Sequence, residues 1–406
     1  VKNLSDNCIG DPVSGSTSKK ASRRALLLSA YDAISHRFWR QSLLTMFPEF
    51  EWTVLTLPPR HFAWRIRGNS LSWAFNHRGL LTDNYDFLLV TSMVDLSALR
   101  GFLPELARLP TIVYFHENQF AYPTGEHQFA SVEPQILNFY TALCADKLVF
   151  NSDWNRQSFL SGVRRLLKKM PDHVPANMLE KLQHAQVIAV PLADELFANT
   201  ANDETDNQDR DILNIVWNHR WEYDKGPVLL LAIVDGLIAA GVRFRLHLLG
   251  EKFRRSPAEF TEISAKLARF YRQIDIRPAH SGYLAERSEY EHLLRSADVV
   301  LSTADHDFQG LSLLEAIACG CTPLAPARLV YPEYLSADFL YSASADHSVA
   351  AASAVAALQT LAADKLCGVR LPQADIAQFR QSRLRHDYAE LFSDLQDIAR
   401  RRDHNH

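Results

Sequence analysis

Arg220 and Lys225, five positions apart in the run WNHRWEYDKG (217–226), are the pair in this chain best suited to a diphosphate. An arginine can hold phosphate oxygens in a bidentate way, and a lysine adds a compact point charge. Two cations beside a helix start stabilise a departing diphosphate electrostatically and need no nucleophile from the protein. Asn218 adds a polar contact in the same run. Glu222 and Asp224 offer a plainer alternative, a surface ion-pair loop, although Trp217 and Trp221 are unusual company for one.

A second group surrounds residues 299–323. Asp307 and Glu315 have seven residues between them, and the loop holding Asp307 follows the apolar run Val299-Val300-Leu301. Past Gly310, apolar residues at Leu311, Leu314, Ile317 and Ala318 have helical spacing. Gly320 and Pro323 should end that helix. Its start offers free backbone N–H groups and partial positive charge, both favourable to phosphate. Asp307 is thus placed for ligand hydroxyls and Glu315 for a ribose. Asp305-His306-Asp307 also has the D-x-D form of a divalent-metal site, but no further acid cluster accompanies it.

The remaining candidates follow other apolar runs. His116-Glu117-Asn118-Gln119 come directly after residues 111–115. His116 could donate to a phosphate or a ligand hydroxyl and Glu117 could meet an attacking hydroxyl, with a purely structural histidine as the alternative. The same choice applies to Ser35-His36. Gly250, after Leu248-Leu249, is either a nucleotide-lining turn or a plain one.

Apolar runs at 25–30, 52–57, 87–91, 111–115, 148–150 and 187–190 read as strands, separated by helical lengths, with Asn151-Ser152 as a helix cap. A second series begins at 214–217 and continues at 243–249, 274–276, 299–302 and 322–325. Strands alternating with helices imply parallel sheets, whose binding crevice lies at the carboxyl ends of the strands. The acidic, aperiodic NTANDETDNQDRD (199–211) reads as a linker. The expected organisation is a disordered leader at 1–20, domains at 21–198 and 212–372, and a crossover helix with a tail at 373–406. The fold class is therefore α/β, with two Rossmann-like domains facing each other across a cleft. The charged last helix, with Phe379, Leu384, Tyr388, Leu391, Phe392 and Leu395 as its apolar positions, should pack back towards the first domain.

At 406 residues, roughly two or three domains are expected. A net charge of −4 does not suggest a nucleic-acid partner globally, so any such surface must be local. One stretch qualifies. Residues 60–78 interleave Arg60, Arg65, Arg67 and Arg78 with Phe62, Trp64, Trp73 and Phe75. Cations neutralise phosphates while aromatic faces stack on unpaired bases; an amphipathic helix with a solvated basic face would look the same. The five cysteines have no disulfide or zinc spacing, which suits reduced thiols and a cytoplasmic protein. No apolar run approaches the ~20 residues of a membrane span, so no membrane partner is expected.

Taken together, YFHENQFAYP (114–123), WNHRWEYDKGP (217–227), STADHDFQGLSLLEA (302–316) and LVYPE (329–333) resemble the tRNA-queuosine mannosyltransferase family. That family is a branch of the family-4-like glycosyltransferases, which have the two-Rossmann-domain GT-B fold. The resemblance runs from about residue 25 to 340 and includes LPPRHFAWRIRG (57–68) and FNSDWNRQSFL (150–160). It implies transfer of mannose from GDP-mannose to the cyclopentenediol of queuosine in the anticodon loop of aspartate tRNA, with retention at the anomeric carbon. His116, Glu117, Arg220, Lys225 and Asp307 would be catalytic, and Asn218, Gly250, Gly310, Leu311 and Glu315 would bind the donor. Ser35, His36, Arg60, Trp64, Arg65, Arg67, Asn118 and Gln119 would meet the tRNA. No cofactor beyond the nucleotide sugar, and no metal, is implied. Asp307 stands where the wider class usually carries Glu, and Ala33-Ile34 stand where it usually carries a Gly-Gly pair. Two other classes fit the same residues: a family-4-like glycosyltransferase acting on a lipid, glycan or small molecule, and a non-catalytic tRNA- or nucleotide-binding protein.

Overall fold

The computed structural model describes residues 22–122, 131–175, 177–198, 211–252 and 256–403. The expected leader and all but the last residue of the expected linker lie outside them. The first lobe contains β1 (Arg23–Ser29), β2 (Phe50–Thr56), β3 (Phe87–Thr91), β4 (Thr111–Phe115), β5 (Lys147–Phe150) and β6 (Gln186–Val187). Its helices are α1 (Ile34–Met46), α2 (Phe62–Asn76), α3 (Arg78–Leu81), α4 (Leu96–Phe102), α5 (Glu133–Leu143), α6 (Asp153–Leu167) and α7 (Met178–Gln183). The second lobe contains β7 (Leu213–Asn218), β8 (Phe244–Leu249), β9 (Ser281–Gly282), β10 (Val299–Leu301), β11 (Thr322–Pro326) and β12 (Leu340–Tyr341). Around them lie α8 (Pro227–Ala239), α9 (Glu259–Gln273), α10 (Arg287–Ser296), α11 (Leu311–Ala318) and α12 (His347–Leu366), and the chain ends in α13 (Gln381–Asp403).

Each lobe is built on a parallel six-stranded sheet, in the orders β2-β1-β3-β4-β5-β6 and β12-β11-β10-β7-β8-β9. Helices cover both faces, so the central strands are apolar throughout: every residue of β3 and β4 is buried. In each sheet the chain first builds to one side of its opening strand and then crosses to the other. The reversal falls between β1 and β3 in one lobe and between β7 and β10 in the other, and ligands bind at such switch points. The loops after β1, β4, β7 and β10 carry the candidate residues.

The sequence expectation differs from the structure at two strands. Residues 274–276 form the C-terminal turn of α9: Ile274 and Ile276 donate backbone N–H groups to Phe270 and Tyr271, and Asp275 is left-handed at φ 54°. Their apolar side chains pack against the core as helix-end anchors, and the edge strand is β9. The run 187–190 is strand only at its first residue, because the chain then leaves the sheet for the second lobe. The 20-residue α12 is the one described helix long and apolar enough to span a membrane by composition; here its stripe of Ala350, Ala354, Leu358 and Leu361 is buried in the second core.

The chain passes between the lobes near Leu192 and again near Phe379, and the two crossings run side by side. Leu192 N–H donates to Phe379 O (2.7 Å) and Gln381 N–H donates to Leu192 O (2.8 Å). α13 then packs on the first sheet. Tyr388, Leu391, Phe392 and Leu395 join Trp39, Phe87 and Tyr114 in one cluster, and the Trp39 indole donates to the Tyr388 hydroxyl (2.9 Å).

Candidate active site

In the second lobe, β7 delivers residues 218–226 to the start of α8. Gly226 caps that helix at φ 64°, and a Cβ there would lie 2.1 Å from the Thr303 carbonyl oxygen. That close approach joins the loop after β7 to the loop after β10. Asp305 and His306 N–H groups both donate to Asp224 O, and the Lys225 ammonium donates to His306 O (2.7 Å). The Lys225 ammonium also lies 3.4 Å from the Asp224 carboxylate, both side chains being nearly buried. Arg220 is more open and pairs with Glu222 at 2.8 Å. The ion-pair loop considered from the sequence is thus real, but Lys225 and Asp224 belong to the interior.

Asp307 accepts from the Phe308 and Gly310 N–H groups through Oδ1, and from the Tyr331 hydroxyl through Oδ2 (all 3.1 Å). Burial would raise its pKa, but Lys225, His219, His306 and the Tyr331 hydroxyl together lower it, so it is an anion. Asp224 is lowered too: His306, Lys225 and Arg220 outweigh its burial. His219 is pushed down to about 4, by burial first and Lys225 second, and is neutral. Its Nε2 meets Ser302 Oγ (3.1 Å), which in turn meets the Tyr331 hydroxyl (2.8 Å), so a chain of hydroxyls links His219 to Asp307.

α11 starts at Gly310, also left-handed (φ 74°), and no side chain caps it. Glu315 faces α10, accepting from Arg287 (2.8 Å) and the Tyr290 hydroxyl (3.1 Å). Asn218 donates to Ser312 O (2.7 Å) and to Tyr290, which ties β7 to the first turn of α11. Leu311 is partly buried against both the second-lobe cluster around Leu314 and Tyr331 and the α13 cluster, and Gly250 ends β8 against the His219 carbonyl. Asp305 pairs with Arg328 (2.6 Å), so the two carboxylates of the D-x-D triplet have different partners. Among the described residues, no group of three or more His, Cys, Asp or Glu side chains could hold a metal ion.

In the first lobe, His116 is buried at the end of β4, its ring stacked on His36 (4.1 Å between centroids) and edge-on to Trp39 (4.8 Å). Burial, then the neighbouring His36, hold its pKa well below the usual histidine value, and among the described residues neither ring nitrogen has a hydrogen-bond partner. His36 Nε2 lies 2.9 Å from Glu117 Oε2, and Glu117 is the more exposed of the two. Ser35 lies in the first turn of α1. Asn118 is fully buried and braces the segment against Asn155 and Ser158 of α6 (both 2.8 Å). Gln119 N–H donates to Asn138 Oδ1 (2.8 Å). Both residues therefore position the loop from within.

The basic aromatic stretch is mostly helix α2. Arg67 turns inward to Asp95 (2.8 Å) and Glu133, and Arg78 pairs with Glu105. Trp73 is core, whereas Trp64 is 60% and Phe75 75% exposed. Arg60 is exposed and Arg65 partly so. The sequence reading missed Tyr122, which touches His306 of the other lobe edge-on (4.8 Å) and lies beside Arg220. It also missed Tyr290, Arg287 and Glu333. Glu333 caps α6 across the lobes, accepting from the N–H groups of Asp153 (3.0 Å) and Trp154. Tyr122 and Glu333 lie within quoted motifs; for Tyr290 and Arg287 no local signal exists, because their partners come from other elements.

Residues 24–192 match the family model for the N-terminal part of tRNA-queuosine alpha-mannosyltransferase. The Drosophila melanogaster tRNA-queuosine alpha-mannosyltransferase is 33% identical over 326 residues, covering 79% of this chain and 83% of that protein. The chain belongs to the tRNA-queuosine alpha-mannosyltransferase family. As a family member it is a glycosyltransferase, and solved structures agree on the fold. Sucrose-phosphate synthase from Thermosynechococcus elongatus superposes with a TM-score of 0.64 at 14% identity, covering 93% of this chain and 100% of that one. A UDP-forming alpha,alpha-trehalose-phosphate synthase from Burkholderia xenovorans gives 0.61 at 17% identity, covering 93% and 99%. The two sheets facing each other are the GT-B arrangement.

Proposed function

We propose that this chain transfers mannose from GDP-mannose to the cyclopentenediol of queuosine in the anticodon loop of aspartate tRNA, with retention at the anomeric carbon. The observation that carries the donor half is the near-buried Lys225 beside ionised Asp307, between two helix starts that no side chain caps. Cations and helix N-termini suit a diphosphate, and a carboxylate suits sugar hydroxyls. The acceptor half rests on the relative's name, on the exposed Arg60 and Trp64, and on the partly exposed Arg65. Ser35 and His36, in the first turn of α1, are assigned to the acceptor as well.

In this reading Arg220 and Lys225, in place of a divalent metal, stabilise the negative charge that develops on the diphosphate as the glycosidic bond breaks. The attacking hydroxyl approaches from the leaving-group face. Its proton passes to a diphosphate oxygen, and the new bond forms on the face from which the old one left. Glu117, held by His36, contacts the attacking hydroxyl, and His116 is kept neutral as a donor. Closure about the paired crossings excludes water and limits hydrolysis of the donor. Incubating the protein with queuosine-modified tRNA and a panel of nucleotide sugars, then weighing the nucleosides, tests this directly. A hexose added to queuosine from GDP-mannose alone is the expected result; addition from another donor, or none, overturns the assignment.

A further inference from the structure

Helix α6 meets the second lobe at its start, and its other end has no part in the site described above. Arg164, Arg165, Lys168 and Lys169 crowd that end, all exposed. Among the described residues none pairs with an acid, whereas Arg67, Arg78, Arg156 and Arg402 each do. Attraction to the helix C-terminus is worth about 0.3–1 kcal/mol for a cation in the last turn. It favours cations there, yet it does not require four without a counter-charge in a chain of net charge −4.

The position of the cluster gives it a direction. Ser158 accepts from Asn118, and Phe120 packs on Phe159 (5.5 Å) and sits so close to Gly162 that a Cβ there would lie 2.3 Å away. One turn further along, the Arg165 guanidinium lies on Ser161 Oγ (2.8 Å), and Lys168 and Lys169 follow after another turn. Positions 158, 161, 165 and 168 share a helix face. The cationic track therefore starts beneath the segment that carries His116 and Glu117 and leads away from it. At 1.5 Å per residue, its far end is about 16 Å from the Ser158 contact.

We propose that this end of α6 is a phosphate-backbone contact for the RNA acceptor, gripping nucleotides outside those that enter the cleft. The inference rests on the RNA-acceptor reading above. Such a contact carries no sequence information; it orients the nucleic acid and gives binding its salt dependence. Continuity with the cleft segment favours RNA over an anionic lipid surface, which would not need to lie beside His116.

The test is a variant carrying Arg164→Ala, Arg165→Ala, Lys168→Ala and Lys169→Ala, all at exposed positions, the first two within α6 where alanine preserves helix and the others just past its end. Binding of full-length tRNA is followed by fluorescence anisotropy across a salt series, in parallel with transfer kinetics and with vesicles containing phosphatidylserine. Each lost phosphate contact should flatten the logarithmic salt slope by about 0.7–0.9. A slope flatter by about 3, at least a tenfold rise in Kd and KM at low salt, and kcat within about twofold at saturating tRNA are expected. An unchanged tRNA slope, or a loss seen only with vesicles, overturns the proposal. A wild-type protein that binds tRNA through these residues yet adds no hexose would support this contact while sinking the reading it rests on.

Discussion

Arg220 and Lys225 carry the same charge in different surroundings, and their removal should therefore have different effects. Arg220 is half-exposed beside Glu222, and an exposed pair contributes little to stability. Arg220→Ala should lower kcat by about 10²–10³ while leaving the thermal midpoint nearly unchanged. Lys225→Ala should lose as much rate and also about 1–3 kcal/mol of stability, because buried Asp224 loses its nearest lysine and keeps only His306 and the more distant Arg220. Turnover assays with urea melts check both, and near-normal turnover in either variant removes its leaving-group role. Arg67 presents the converse case. The sequence shows its charge but not its partner, and the structure gives it to Asp95, which is 2% exposed. Arg67→Ala should destabilise the first lobe by about 1–3 kcal/mol and leave the tRNA salt slope unaltered. Charge and spacing are legible in a sequence. Which way a long side chain turns is decided by acids more than twenty residues away along the chain.

Two glycines of similar backbone conformation separate local from tertiary demands. Gly226 (φ 64°) caps α8 against the Thr303 carbonyl, whereas Gly241 (φ 67°) has nothing within 4 Å of a would-be Cβ. Gly241→Ala should cost about 1 kcal/mol for its left-handed backbone alone. Gly226→Ala meets the same strain plus a backbone clash, so its melting temperature should fall further and Lys225 should shift with it. Equal midpoints for the two variants would show that the loop yields freely. β3 and β4 were legible to the residue, since a doubly covered strand is one unbroken apolar run. Residues 274–276 read as a strand from Ile274 and Ile276 on either side of Asp275, but those two side chains anchor a helix end. A short apolar run records that it is buried, not how its backbone runs.

At the scale of the whole molecule, buried and partly buried neutral histidines link stability to pH. His219 and His247 are each lowered to about 4, chiefly by burial, and His116 falls well below its usual value. The unfolded chain therefore binds protons that the folded protein does not, between about pH 6.5 and 4. Stability is full above that window and is lost as pH falls through it, by on the order of 1–3 kcal/mol for each of His219 and His247, and His116 acts in the same direction. The urea midpoint should drop steadily from pH 7 to 4.5, and a flat profile would contradict these assignments. The two-lobed plan was readable because strand–helix alternation repeats on either side of an acidic, aperiodic segment. The paired crossings and the cap that Glu333 places on α6 were not, because they join residues that only the finished chain brings together.

α13 covers one face of the first sheet although the entire second lobe is made before it. During synthesis at about 5–20 residues per second, roughly 10–40 s separate the emergence of β6 from that of Tyr388. Until then Trp39, Phe87 and Tyr114 lack their final cover, while the entire second lobe is translated and can fold. The nascent first lobe is thus held open on one side, a natural period for chaperone attendance. It becomes a closed folding unit only after the second lobe and α13 have both been made.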